Sequence, residues 1–494
     1  MLRVVRLFYS ILSSHYKSAD ETAFIRLIGR QASFTIFVHS TEKGKKMIIL
    51  KRKDFGTGLI LFQLFYVLFY GAIRDYLDLP GAISYFIDIL NIAVTAWLIF
   101  YKRALTEIFE LRLQRVLGAV LLLTAVSLLT AILNHVRFLL VLWSCRNMLR
   151  YFPFFFATII FWDRRAADIY SNALIWLQIP NAILCFFQFF IKNERGDEMG
   201  GIFGNVAGCN AFLCAFLFIV ITLVVQKYLN GKANIIVMCA SCFSAMVISA
   251  FAELKVSYLV IPLIIIASFM LNRPSLKTFI LAAVITYGMV VAINLIVFYF
   301  PYWTDSFSSL KAFLHLGKET GGGYYISRLG AFSEINEYFF KNSIVRNLIG
   351  YGFGNCEYSS FDFLTSEFFE RYGVINYRWF SHMMWFLQTG YLGIICCAAF
   401  IVTSFFWITN MKLRFGDAGG IGSFGQIMCG VIIISFAYNC SMTIEAGYLM
   451  FAALAVPFVY YKEFLYKRKK VKQQRSVPAK TRQNESESDL FQLH

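Results

Sequence analysis

Charge is what this sequence has least of. Asp, Glu, Lys and Arg make up 15% of its 494 residues, against roughly a quarter in soluble domains. Several water-soluble domains cannot be covered with so little, so much of the surface must face something other than water. A CxxC pair and any Cys/His cluster are also missing, although the chain has 11 cysteines. Only Cys356 lies clearly in a loop and the others fall within apolar runs, so neither a disulfide framework nor a metal site is indicated. Residues 1–56 hold no sustained apolar stretch ahead of a small-residue cleavage site, which excludes a cleavable signal peptide. They read as a basic cytoplasmic segment suited to lying on anionic lipid, with Met47 as an alternative start. No soluble repeat of 20–50 residues is present, and the inverted repeats of many transporters are not visible.

What is present is apolar and aromatic: 58% hydrophobic residues, 53 of all residues being Phe. Apolar runs of roughly 17–25 residues match the thickness of a bilayer, and Tyr and Trp gather near their ends as interfacial belts do. The runs lie near 57–73, 81–101, 116–134, 142–162, 170–191, 205–225, 234–252, 256–271, 278–300, 383–407, 425–441 and 443–461. The expected fold is an all-α polytopic membrane protein of about 12 transmembrane helices. Its transmembrane domain covers 57–461 and includes one long extracytoplasmic loop, 301–382, and a basic tail, 462–494, follows. The end of that tail is Ser/Glu/Gln-rich, a composition that suits disorder. The formal net charge of +17 points to orientation rather than to nucleic acid. Most Lys and Arg sit in both termini and in alternate short loops (Lys102/Arg103/Arg112/Arg115, Arg164/Arg165, Lys227/Lys232, Arg273/Lys277, Lys412/Arg414). That side is cytoplasmic by the positive-inside rule, with both termini on it. The segment 135–162 is too basic for an ordinary span. It reads as an amphipathic helix at the outer interface running into a short span from Tyr151 to Trp162.

With this orientation the informative polar groups share the outer side, where charge near a membrane calls for explanation. The turn from Lys192 to Asn205 is glycine-rich and can present backbone N–H groups to an anion or to sugar hydroxyls; it also fits a plain connecting loop. Glu253 and Lys255 occupy the tip of a very short hairpin, where they pair, snorkel or simply mark topology, and Glu445 sits similarly between the last two spans. Arg146 and Arg150 are four apart and share a helix face, placed for a lipid diphosphate or for headgroup snorkelling. The long loop carries Gly321-Gly322-Gly323, then Arg328, an amphipathic helix with Phe332, Ile335, Phe339 and Phe340 on one face, and Gly350-Tyr351-Gly352. Arg371, Arg378 and His382 follow, just before the tenth span. A long ordered loop above a membrane is more often functional than idle.

Taken in order, these segments resemble the O-antigen polymerase/ligase superfamily of bacterial envelope glycosyltransferases. The elements that carry the resemblance are Gly201-Ile202-Phe203-Gly204-Asn205, the turn Glu253-Leu254-Lys255, and Ser327-Arg328-Leu329. Asn347-Leu348-Ile349-Gly350-Tyr351-Gly352 and Ser381-His382 with Gly390-Tyr391-Leu392-Gly393 complete it. It covers roughly 200–410. Met383 stands where the family commonly has Asn after the His, and Lys255 where ligases commonly have Arg. The resemblance implies a GT-C-like architecture and a metal-independent, cofactor-free glycosyltransferase in the bacterial plasma membrane. Its donor and acceptor would be polyprenyl-diphosphate-linked (undecaprenyl diphosphate) glycans, and a chain-length regulator and a flippase would be its partners beside membrane lipids. The product would be an O-antigen, capsule or exopolysaccharide chain. Arg146, Arg150, Lys255, Arg328, Asn205 and Arg378 are then candidates for the diphosphate and substrate; His382 is the first candidate for the base and Glu253 the second. A ligase delivering the glycan to lipopolysaccharide or protein fits the same architecture. A flippase predicts charges lining a midplane path, and an acyltransferase predicts a His within a span; a structural scaffold is the remaining alternative.

Overall fold

The computed structural model describes residues 34–36, 48–50, 52–272, 276–299, 301 and 325–476. The chain divides into two units, Met1–Phe55 and Gly56–His494. In the first, β1 (Phe34–Ile36) pairs antiparallel with β2 (Ile48–Leu50). Met47, Arg273, the Gly321–Gly323 run and the end of the tail lie outside the described residues.

The second unit is helical. It holds α1 (Arg52–Tyr76) from Gly56 onward, α2 (Tyr85–Phe100), α3 (Ala104–Glu110), α4 (Gln114–Leu133), α5 (Phe138–Ser144), α6 (Tyr151–Phe161) and α7 (Arg164–Phe190). Next come α8 (Asn210–Leu229), α9 (Ile235–Phe251), α10 (Ser257–Leu271) and α11 (Leu276–Tyr299). The outer segment carries α12 (Ala331–Ile335), α13 (Ile344–Ile349) and α14 (Glu367–Tyr372), and α15 (Ser381–Phe415), α16 (Ile421–Tyr438) and α17 (Ala446–Ser476) close the bundle. Among the described residues, nine helices are long and apolar enough to cross a membrane: α1, α2, α4, α7, α8, α11, α15, α16 and α17. Shorter apolar helices lie at Phe138–Leu149, Tyr151–Phe161, Ile235–Phe251 and Ser257–Leu271. The second unit is therefore an all-α polytopic membrane domain, whose helices satisfy their own backbone groups as hydrocarbon demands. Helices α8 and α17 form the buried middle, while α2 turns Ile89, Ile92, Ile99 and Phe100 outward. Ring packing fills the core: Phe155 meets Phe458 at 5.3 Å and Trp407 stacks on Phe458 at 4.3 Å.

Two interruptions shape the upper end of the bundle. The expected run 142–162 is two helices, α5 and α6, joined by a π-helical turn at Cys145–Leu149. Such turns insert an extra residue and recur at functional sites; this one carries Arg146. The second lies inside α15, where Gly390 has φ 61° and ψ −160°. The carbonyls freed by this break are taken up by the outer segment, since Tyr351 N–H donates to Leu387 O at 2.7 Å and Gly352 N–H to Gln388 O at 3.0 Å. The rings of Phe332 and Phe340 pack on Phe386 beside it, at 4.7 and 5.3 Å. The outer segment is thus fastened into the bundle rather than draped over it.

The basic loops gather at the opposite end. Lys469 pairs with Glu110 at 2.8 Å, and Lys412 donates to Leu271 O at 3.2 Å. Composition assigned the chain beyond Lys462 to a tail, but α17 continues to Ser476. Lys462, 5% exposed, anchors the continuation by donating to Ile159 O at 2.6 Å and Ile160 O at 3.1 Å. Lys and Arg are good helix formers once such an anchor fixes the register.

Candidate active site

A cavity of about 1690 Å³ opens at the upper end, between the helix ends and the outer segment. Seven cationic residues line it (Arg74, Arg146, Arg150, Arg195, Lys255, Arg328, Arg378), with four carboxylates (Asp197, Glu253, Glu357, Glu445). Such an excess of positive charge in a concave, partly apolar site suits a multiply charged anion.

One wall is built by the π-turn. Arg146 Nε and Nη2 donate to Asp88 Oδ2 at 3.0 and 2.7 Å, and Arg150 Nη1 reaches Asp88 Oδ1 at 3.1 Å. Arg150 Nη2 also donates to Glu445 Oε1 at 3.1 Å and to Tyr151 Oη at 3.0 Å. The Arg150 side chain is 3% exposed, and a guanidinium so enclosed is tolerable only when carboxylates face it. Burial alone would raise the Glu445 carboxyl, but Arg150 and Arg146 outweigh it and hold the group below the usual carboxylate range. Asn147 links this wall to Glu357, as its Nδ2 donates to Glu357 Oε2 at 2.7 Å and its Oδ1 accepts from Arg146 Nη1 at 2.7 Å.

The facing wall comes from the hairpin tip between α9 and α10 and from the outer segment. Leu254 N–H bonds Ser249 O at 2.8 Å, and Glu253 adopts φ 51°, a position that glycine usually fills at the end of a helix. Lys255 follows it. Burial pushes the Lys255 ammonium down to about 7, opposed by the Glu253 carboxylate and reinforced by Arg328. Arg328 stands over the Tyr438 ring at 4.3 Å and the Phe380 ring at 4.9 Å. Its turn is held by Ser327 N–H donating to Glu334 Oε2 at 3.0 Å, and by Ile326 N–H donating to Asn376 Oδ1 at 2.9 Å. Arg378 stacks on Tyr358 at 4.3 Å. Among the described residues neither Arg195 nor Arg378 has a carboxylate within ion-pair distance.

The structure brings six of the eight residues singled out in the sequence to this one cavity: Arg146, Arg150, Glu253, Lys255, Arg328 and Arg378. The other two lie elsewhere. His382 is 4% exposed, its Nε2 is 3.2 Å from Arg328 O, and its ring meets Phe332 edge-on at 5.8 Å; it supports the Arg328 backbone from behind the cavity wall. Asn205 ties the glycine-rich turn to its neighbours, its N–H bonding Asp75 Oδ2 at 2.8 Å and its Nδ2 bonding Glu194 Oε1 at 2.7 Å. Sequence reasoning missed Asp88, Asn147 and Glu357. Asp88 gave a signal, being an acid inside an apolar run; Asn147 and Glu357 gave none. Compared with known proteins, the chain matches no family model and no curated sequence.

Proposed function

We propose that this protein polymerises polyprenyl-diphosphate-linked oligosaccharide units into an envelope polysaccharide at the outer face of a bacterial plasma membrane. The observation that carries this reading is the convergence of Arg146, Arg150, Lys255, Arg328 and Arg378 on one cavity at one end of the bundle. In the reaction a hydroxyl of the acceptor unit attacks the anomeric carbon of the donor glycan. The bond from that carbon to the diphosphate breaks, and polyprenyl diphosphate leaves. Negative charge grows on the departing diphosphate, where preorganised cations lower the barrier. The hydroxyl proton needs a base at the cavity surface. Glu253 lines the cavity and His382 sits behind it, so Glu253 takes the proton and His382 positions Arg328. A flippase would need a charged path along the midplane, whereas these charges gather where helices end.

Exchange of Arg328 for Ala should reduce polymerisation by about 10²–10³-fold, the usual cost of removing one transition-state donor. On a gel of extracted glycans long chains should vanish while single units still reach the lipid carrier. Unchanged chain length in that variant would refute the assignment.

A further inference from the structure

Glu357 belongs to no motif in the sequence, yet it is 2% exposed and stands on the cavity wall. Both of its carboxylate oxygens are engaged. Oε1 accepts from Ser144 Oγ at 2.8 Å and Gln388 Nε2 at 2.9 Å, and Oε2 accepts from Asn147 Nδ2 at 2.7 Å. Its own carbonyl accepts from Ser366 N–H at 3.0 Å and Ser366 Oγ at 2.9 Å, so the backbone is pinned as well.

The consequence passes to Asn147. An ionised carboxylate only accepts, so Asn147 must turn its amide N–H toward Glu357 and its oxygen toward Arg146. That oxygen takes Arg146 Nη1 at 2.7 Å, while Asp88 takes Nε and Nη2. A guanidinium has five N–H groups; these three bonds leave two of them. Arg146 is therefore held at its Nε/Nη2 edge by Asp88 and at Nη1 by Asn147, over the Trp143 ring at 4.8 Å. As a cavity-lining residue it keeps two N–H groups for a ligand.

We infer that Glu357 is a positioning residue that, through Asn147, fixes the Arg146 guanidinium for a phosphate oxygen of the lipid diphosphate. This rests on the proposed function. A carboxylate that merely stapled the outer segment to Ser144 and Gln388 would not need the Asn147 orientation, and exchanging partners separates the two roles. In Glu357→Gln, Gln388 Nε2, whose amide is fixed by Gly354 N–H on its oxygen at 2.6 Å, keeps the new amide oxygen at the Oε1 place. The new NH2 then meets the Asn147 amide N–H, Asn147 turns, and Arg146 loses its acceptor. In Asn147→Asp, two carboxylates meet. In the double variant the Gln amide N–H donates to one Asp oxygen and the other oxygen again accepts from Arg146.

The test is binding of farnesyl diphosphate, a short polyprenyl diphosphate, to purified full-length protein by calorimetry, with thermal unfolding recorded alongside. Glu357→Gln and Asn147→Asp should each weaken binding about tenfold, the scale of one charge-assisted hydrogen bond. The double variant should return to within about threefold of wild type, inside the scatter of coupled sites. Binding in Glu357→Gln equal to wild type would overturn the inference while leaving the diphosphate cavity intact. A double variant that recovers its unfolding temperature but not its affinity would reduce Glu357 to a staple and also overturn it. A wild-type protein that does not bind the probe would remove the proposed function and this inference together.

Discussion

Lys255 sits where an ammonium is hard to keep. Burial pushes it down to about 7, and Arg328 adds to that pressure against Glu253. Below about 7 the side chain is a cation and can hold a diphosphate; above it the charge is lost. The kcat/KM for the lipid-linked donor, which reports groups of the free enzyme, should therefore fall as pH rises through about 7. Arg in place of Lys stays charged throughout, so Lys255→Arg should lose that limb of the pH profile. If the limb persists, another group titrates there. At this scale the sequence was informative wherever a charge lay beside an apolar run. Arg146 and Lys255 announced themselves through that cost, whereas Arg328 was marked only by the long loop and the family resemblance. Glu357 did not, because a carboxylate in a loop looks solvated until the loop is seen packed into the bundle.

Among the elements, the broken helix α15 joins outer segment to bundle. Gly390 serves as the hinge because its φ of 61° is a left-handed value, and a Cβ there would stand 2.4 Å from the Leu348 carbonyl carbon. Changing Gly390 to Ala adds backbone strain of about 1–3 kcal/mol, and the clash with Leu348 at the end of α13 pushes the following Tyr351 and Gly352 off the carbonyls of Leu387 and Gln388. The variant should unfold at a lower temperature in detergent and polymerise poorly. Gly430 in α16 has nothing within 4 Å of its would-be Cβ, and Ala there is worth up to about 1 kcal/mol of helix propensity, so Gly430→Ala should leave both properties intact. Equal effects at the two positions would show that the break is incidental. The Gly350-Tyr351-Gly352 turn and Gly390 were visible in the sequence as separate marks. Their contact was not, since backbone pairing across nearly 40 residues leaves no periodic trace. The π-turn was hidden for a similar reason: an extra residue in one helical turn shifts the pattern by less than the irregularity of any apolar run.

For the whole molecule, apolar run length located the helices well, because the bilayer fixes that length by a rule that tertiary packing cannot override. Three expected runs, 142–162, 234–252 and 256–271, hold only shorter apolar helices, and the other departures were at ends. The helix α17 outran its apolar stretch as far as Ser476 because its basic turns found partners, Glu110 among them. These contacts place the end of α17 beside α3, at the end of the bundle away from the cavity. The proposed function needs the orientation that the charge distribution favours: loops rich in Lys and Arg on the cytoplasmic side and the cavity on the other. A fluorescent protein fused after His494 should therefore glow, since it matures in the cytoplasm, and alkaline phosphatase at the same position should be silent. Phosphatase inserted beside Phe363, which is 61% exposed on the outer segment, should be active. The reverse pattern would turn the cavity toward the cytoplasm and exclude an outer-face polymerase, whatever its residues can bind.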